Sequence, residues 1–162
     1  MDITRRDFIK TSAMVTAGSV LAGVATAQQP DRPAALADPL VKDFVSVCHG
    51  DFAKVKEMLA AEPRLLHASW DWGGGDFESG IEAAGHVGNR EIADFLIEKG
   101  ARVSVFQYAM MGELEIVKGL LTKFPAMRQS KGPHGLSLVH HAKRGGDKAA
   151  PVLAYLESLG LK

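Results

Sequence analysis

The sequence predicts an all-α protein, a solenoid of about four helix pairs. Three observations predict it. First, one pattern returns four times: a helical stretch, a glycine followed by Asp, Asn or Glu, then an amphipathic helix. The glycines are Gly50, Gly88, Gly112 and Gly146. Self-similarity at a few tens of residues marks stacked architectures. Second, the apolar residues after those glycines keep helical spacing, as in Ile92, Phe95 and Leu96, or Ile116, Val117, Leu120 and Leu121. Third, Pro63, Gly100 and Pro125 stop the first three of these helices. Val55, Leu59, Ile92, Leu96, Ile116, Leu120, Val139, Leu153 and Leu156 are the expected core.

The chain opens differently. Residues 4–10 read TRRDFIK. Arg5, Arg6 and Phe8 resemble the twin-arginine export signal, S/T-R-R-x-F-L-K. An uncharged apolar stretch follows from Thr11 to Ala27 and ends in Ala25-Thr26-Ala27, a small-x-small cleavage pattern. Residues 1–27 are therefore expected to be a signal peptide removed after Ala27. The stretch is shorter than the ~20 residues of a spanning helix, so no stable membrane insertion is expected after cleavage. Leu21-Ala22-Gly23 is followed by Val24 rather than cysteine, which argues against a lipid anchor. The resemblance implies export of an already folded domain to the periplasm or beyond.

Residues 28–39 contain Pro30, Pro33 and Pro39 and few large apolar side chains, and read as a flexible leader. Residues 40–162 carry the repeats. The whole chain has 19 basic and 19 acidic residues; losing Arg5, Arg6, Lys10, Asp2 and Asp7 leaves a net charge of −1. Without a basic excess to neutralise phosphates, nucleic acid is excluded as a partner. Cys48 is the single cysteine, so there is no internal disulfide and no cysteine-based metal site. Its apolar helical surroundings predict burial.

The repeats resemble the ankyrin repeat, with its T-P-L-H-x-A-A-x-x-G and E-I-V-x-L-L-L-x-x-G-A elements. Residues 91–101, EIADFLIEKGA, match best, and residues 115–121, EIVKGLL, come next. Residues 135–140, GLSLVH, stand for G-x-T-P-L-H, while Ser79-Gly80-Ile81-Glu82 is a degraded T-P-L-H. The chain is also similar to a group of exported bacterial ankyrin proteins that carry WDWGGGD and GPHG segments. An ankyrin unit has a period of about 33 residues. The steps between the four glycines are 38, 24 and 34 residues. The resemblance thus implies a long hairpin finger at residues 70–77, a third unit lacking its finger, and a near-normal finger at residues 128–135. Units about 8–10 Å apart would leave a notch of roughly 20 Å between the two fingers.

Candidate chemistry concentrates in those two loops. Trp70 and Trp72 offer flat aromatic area for a partner; alternatively they fold back over the finger-less unit. Period-two spacing puts them on one face if this piece is a strand. Gly73, Gly74 and Gly75 read as backbone at positive φ. Asp71, Asp76, Glu78 and Glu82 form an acidic cluster in which Asp71 and Asp76 are expected to cap turns and Glu78 to face solvent. His134 lies in a loop with no helical reason to hold a histidine. The resemblance implies that His140 ties neighbouring units together through backbone. His141 points elsewhere on the same helix, which makes the pair a poor metal site. His49, His67 and His86 show no zinc-ligand spacing. The binding residues expected are therefore Trp70, Asp71, Trp72, Asp76 and His134, with no catalytic residue, no metal ligand and no cofactor.

The resemblance and the missing catalytic motifs imply a non-enzymatic binding or scaffold module for another exported protein. The alternative is a small-ligand or metal-dependent module built on the WDWGGGD and GPHG loops, with metal held by Asp71, Asp76 or His134.

Overall fold

A computed structural model describes residues 33–162. The signal peptide, its cleavage site at Ala27 and most of the leader lie outside the described residues. Eight α-helices follow in sequence order among them: α1 (Asp38–Val47), α2 (Phe52–Ala61), α3 (Gly80–Val87), α4 (Arg90–Glu98), α5 (Val105–Met111), α6 (Leu114–Lys123), α7 (Leu138–Arg144) and α8 (Ala150–Ser158). Asp38 and Pro39 open α1 instead of closing the leader. Proline fits the first turn because its missing N–H is not needed there.

Local chemistry explains the boundaries. Asp51 Oδ1 accepts from the Lys54 N–H at 2.9 Å and starts α2. Asn89 Oδ1 does the same for Ile92 at the start of α4. At α3, Glu82 Oε2 accepts from the Ser79 N–H at 2.9 Å; at α5, Gln107 Oε1 accepts from the Ser104 N–H at 3.2 Å. Both belong to the reciprocal Ser-x-x-Glu/Gln cap that satisfies orphan donors. Gly88 and Gly112 end α3 and α5 in the left-handed region, at φ 81° and 86°.

Helices adjacent in sequence pack as four pairs, and α1, α3, α5 and α7 stack in succession. Two apolar cores result. The first gathers Phe44, Val45, Val55, Leu65, Ile92 and Leu96. The second gathers Val117, Leu121, Leu138, Val152 and Leu156. Cys48 is fully buried in the first, and burial, aided by the negative charge of Glu78, pushes its thiol up to about 12. Of the expected core, Val55, Leu59, Ile92, Leu96, Val139 and Leu156 are buried, and Leu120 and Leu153 are half-buried. Ile116 is not core: it is 41% exposed. In α4 the inward residues are Ile92, Ala93 and Leu96, whereas α6 turns Val117 and Leu121 inward. One helix is thus rotated by about one residue relative to the other, and the isoleucine moves to the outside.

The expected notch is closed. In a regular solenoid each unit meets only its neighbours. Here α3 of the second unit also packs on α7 of the fourth. Arg144 Nη2 and Nε donate to the Val87 carbonyl at 2.7 and 3.1 Å, and His140 Nε2 donates to the His86 carbonyl at 2.9 Å. A Cβ at Gly88 would collide with the Arg144 carbonyl oxygen. With only six residues between α4 and α5, the third unit places no finger in between. The second and fourth fingers therefore close on each other instead of standing apart.

Candidate metal centre

The long finger is a short antiparallel hairpin, β1 (Ser69–Asp71) and β2 (Phe77–Ser79), the one sheet among the described residues. Trp70 pairs with Glu78, and Asp71 with Phe77. Facing residues share a side of a hairpin, and every second residue shares it too. Trp70, Trp72, Asp76 and Glu78 therefore occupy one face and Asp71 and Phe77 the other. Gly73, Gly74 and Gly75 turn the tip at φ 126°, 68° and 88°. Asp71 Oδ1 accepts from the N–H groups of Gly73 and Gly75 at 2.8 and 3.1 Å. Asp71 caps this turn and does not reach the site. Trp70 also leaves it, packing on the first core near Lys42. The tryptophans do not cover the third unit: Trp70 turns toward α1, and Trp72 toward the fourth unit.

Glu78 overturns its expected exposure. It is fully buried. The Trp72 indole N–H donates to Glu78 Oε2 at 2.8 Å. Burial pushes its carboxyl up, but the contacts from His86 and Trp72 and the charge of His86 and His49 outweigh it, so Glu78 is held below its ordinary range and stays ionised.

Three imidazoles converge on this carboxylate. His86 Nε2 lies 2.9 Å from Glu78 Oε1, and His134 Nε2 lies 3.5 Å from it. His49 Nε2 lies 3.7 Å from Oε2 and 3.0 Å from His86 Nε2. The ligating atoms of His49, Glu78, His86 and His134 all fall within 4.8 Å of one another. Each residue comes from a different element. His49 follows α1, Glu78 sits in β2, His86 is in the last turn of α3, and His134 is in the GPHG turn.

Hydrogen bonds behind the ligands fix their orientation. His49 Nδ1 faces the carbonyls of Val45 and Ser46 at 3.1 and 3.0 Å. His134 Nδ1 faces Asp76 Oδ2 at 2.7 Å, and the His134 backbone N–H donates to Asp76 Oδ1 at 2.8 Å. That backbone N–H, with the imidazole contact added, holds Asp76 below the ordinary carboxylate range. His134 itself sits at φ 58°, the single non-glycine residue at positive φ among the described residues. An Asp76-locked histidine in the left-handed region is a preorganised side chain.

These partners decide the tautomers. Opposite a carbonyl or a carboxylate, Nδ1 must carry the hydrogen. When neutral, His49 and His134 present bare Nε2 lone pairs to the centre. Glu78 adds its own lone pairs, and no donor is aligned on the buried Oε1 despite the closeness of His86. A cation would satisfy these lone pairs together, and the carbonyl or carboxylate behind His49 and His134 is the arrangement metal-bound histidines take.

Of the five expected binding residues, the structure brings His134 to the centre, puts Asp76 and Trp72 directly behind its ligands, and leaves Asp71 and Trp70 outside. His49, Glu78 and His86 were missed. Their signal was the repeat: His49 and His86 stand 37 residues apart, about one unit, at the ends of stacked helices. His67 is exposed and apart. His140 holds backbone as expected, and His141 is buried with Nδ1 donating to the Ser137 carbonyl.

Comparison with known proteins adds one match. The model for the TAT (twin-arginine translocation) pathway signal sequence matches residues 2–22. No curated protein and no solved structure matches the chain. The protein is exported across the membrane by the twin-arginine route. No helix among the described residues is long and apolar enough to cross a membrane.

Proposed function

We propose that this exported protein binds a divalent transition metal through His49, Glu78, His86 and His134. The observation that carries the reading is the convergence of three imidazole nitrogens on the buried Glu78 carboxylate, whose Oε1 has no aligned donor. Three nitrogens and one oxygen suit ions of intermediate softness, such as zinc, copper, nickel or cobalt, and suit calcium and magnesium poorly. Trp72 holds Oε2, which leaves Oε1 as the ligating oxygen. The role is binding, with no reaction assigned. Folded export agrees with it, because ligands 85 residues apart meet only in the folded chain. Cleavage after Ala27 would release a mature chain retaining all four ligands.

The test is calorimetric titration of the metal-stripped mature chain with zinc, copper, nickel and cobalt. One ion per chain is expected to bind, with no heat from calcium or magnesium. Glu78→Gln and His86→Ala should each weaken binding by roughly a hundredfold or more, on the scale of losing a direct ligand rather than its support. Heat indistinguishable from dilution for all four ions would refute the reading.

A second reading has one observation in its favour. Phe77, on the hairpin face opposite Glu78, is 61% exposed. Aromatic anchors of this kind are enriched where proteins bind. Together with the ankyrin-like pattern, it supports a module that also holds another exported protein. Phe77→Ser should then abolish capture of that protein and leave metal binding unchanged.

A further inference from the structure

We infer that the metal centre keeps an open coordination position on its solvent side, which takes a small carboxylate whose body lies against Trp72. The inference rests on the metal reading above. It starts from the uneven burial of the four ligands. Glu78 and His86 form the floor, with side chains 0% and 12% exposed, while His49 and His134 form the rim at 31% and 35%. A closed structural centre surrounds its ion, whereas one that binds a further ligand leaves a side open.

Charge selects the ligand class. A divalent ion with three neutral imidazoles and one carboxylate carries a net charge of about +1, which favours a monoanion. Shape selects further. The Trp72 ring stands 6.2 Å from the His134 ring, centroid to centroid, and 37% of Trp72 is exposed. Its N–H is already committed to Glu78, so what it offers a ligand is the ring, an apolar surface beside the open position. A carboxylate with a flat apolar body would satisfy both features.

Cobalt(II) provides the test, because its visible absorption reports coordination. The cobalt-loaded mature chain is titrated with acetate and with benzoate. Saturable band changes are expected with both, and benzoate should bind roughly three- to tenfold tighter, as for an aromatic pair. Trp72→Gln keeps an N–H for Glu78 but lacks the ring, and should bring the two affinities together. Trp72→Phe keeps a ring and should preserve the preference. Cobalt bound with bands that ignore both anions would overturn this inference and leave the metal reading standing. So would equal affinity for acetate and benzoate in the native chain. Failure of cobalt, zinc, copper and nickel alike to bind would overturn both.

Discussion

The second and third units start from nearly the same local design and end in different chemistry. Ser79 and Glu82 cap α3 as Ser104 and Gln107 cap α5, and Gly88 closes α3 as Gly112 closes α5. Aligned on the serine caps, Glu78 corresponds to Val103; counted back from the closing glycines, His86 corresponds to Met110. The third unit thus fills the two positions with apolar residues that pack against the first core. The second unit fills them with a buried carboxylate and an imidazole. Caps and glycines set where a helix lies; two side chains on that frame decide whether it adds to the apolar core or to a polar cluster.

The sharpest way to break the comparison is to give the second unit the third unit's residues. Glu78→Val with His86→Met should lower metal affinity by roughly a thousandfold or more, since two ligands are lost. The stripped fold should melt no lower than wild type, because a buried carboxylate oxygen without an aligned donor, Glu78 Oε1, costs stability. A lower melting temperature without metal would mean that these two residues hold the fold rather than an ion.

The outer helices of the same two units differ too. Leu96 in α4 is 1% exposed, and Leu96→Ala should cost about 2–5 kcal/mol in denaturant unfolding. Ile116 in α6 points outward, so Ile116→Ala should stay within about 0.5 kcal/mol. Equal costs would show that the two helices present the same face inward.

The fourth unit sharpens the contrast with a histidine that has no carboxylate beside it. His141 is fully buried, and burial lowers its imidazole to about 4, against a partial upward effect of its bond to Ser137. Its folded value lies below its unfolded one. The stabilisation is therefore complete above about pH 6.5, declines as pH falls toward 4, and is gone below. On a scale of about 1.4 kcal/mol per pH unit, that loss is about 3–4 kcal/mol. Unfolding measured across this window should show the decline in wild type and a shallower one in His141→Phe. Parallel curves would remove His141 from the account.

The smallest effect expected at the centre comes from the groups behind the ligands. Asp76→Asn keeps an acceptor for the His134 backbone N–H but weakens the hold on the imidazole. Metal affinity should fall roughly tenfold, toward the lower end for such support. A loss as large as that of a direct ligand would place Asp76 on the metal itself.

The sequence by itself determined the export signal, the helices, their glycine and proline stops, the buried cysteine and the positive-φ loop tip. These depend on residues a few positions apart, where caps, periodicity and the freedom of glycine act directly. It also marked His134, Asp76 and Trp72 as residues the repeat pattern does not explain. Only the tertiary structure decided what they do. Glu78 reads as one acid in a polar loop until strand pairing turns it inward beside Trp70. His49 and His86 read as turn residues until α1 stacks on α3. His134 joins them because the third unit has no finger, so the second and fourth units close together. A cluster of three histidines and a carboxylate assembled from four separate elements leaves no spacing along the chain, since its distances are set by packing between units.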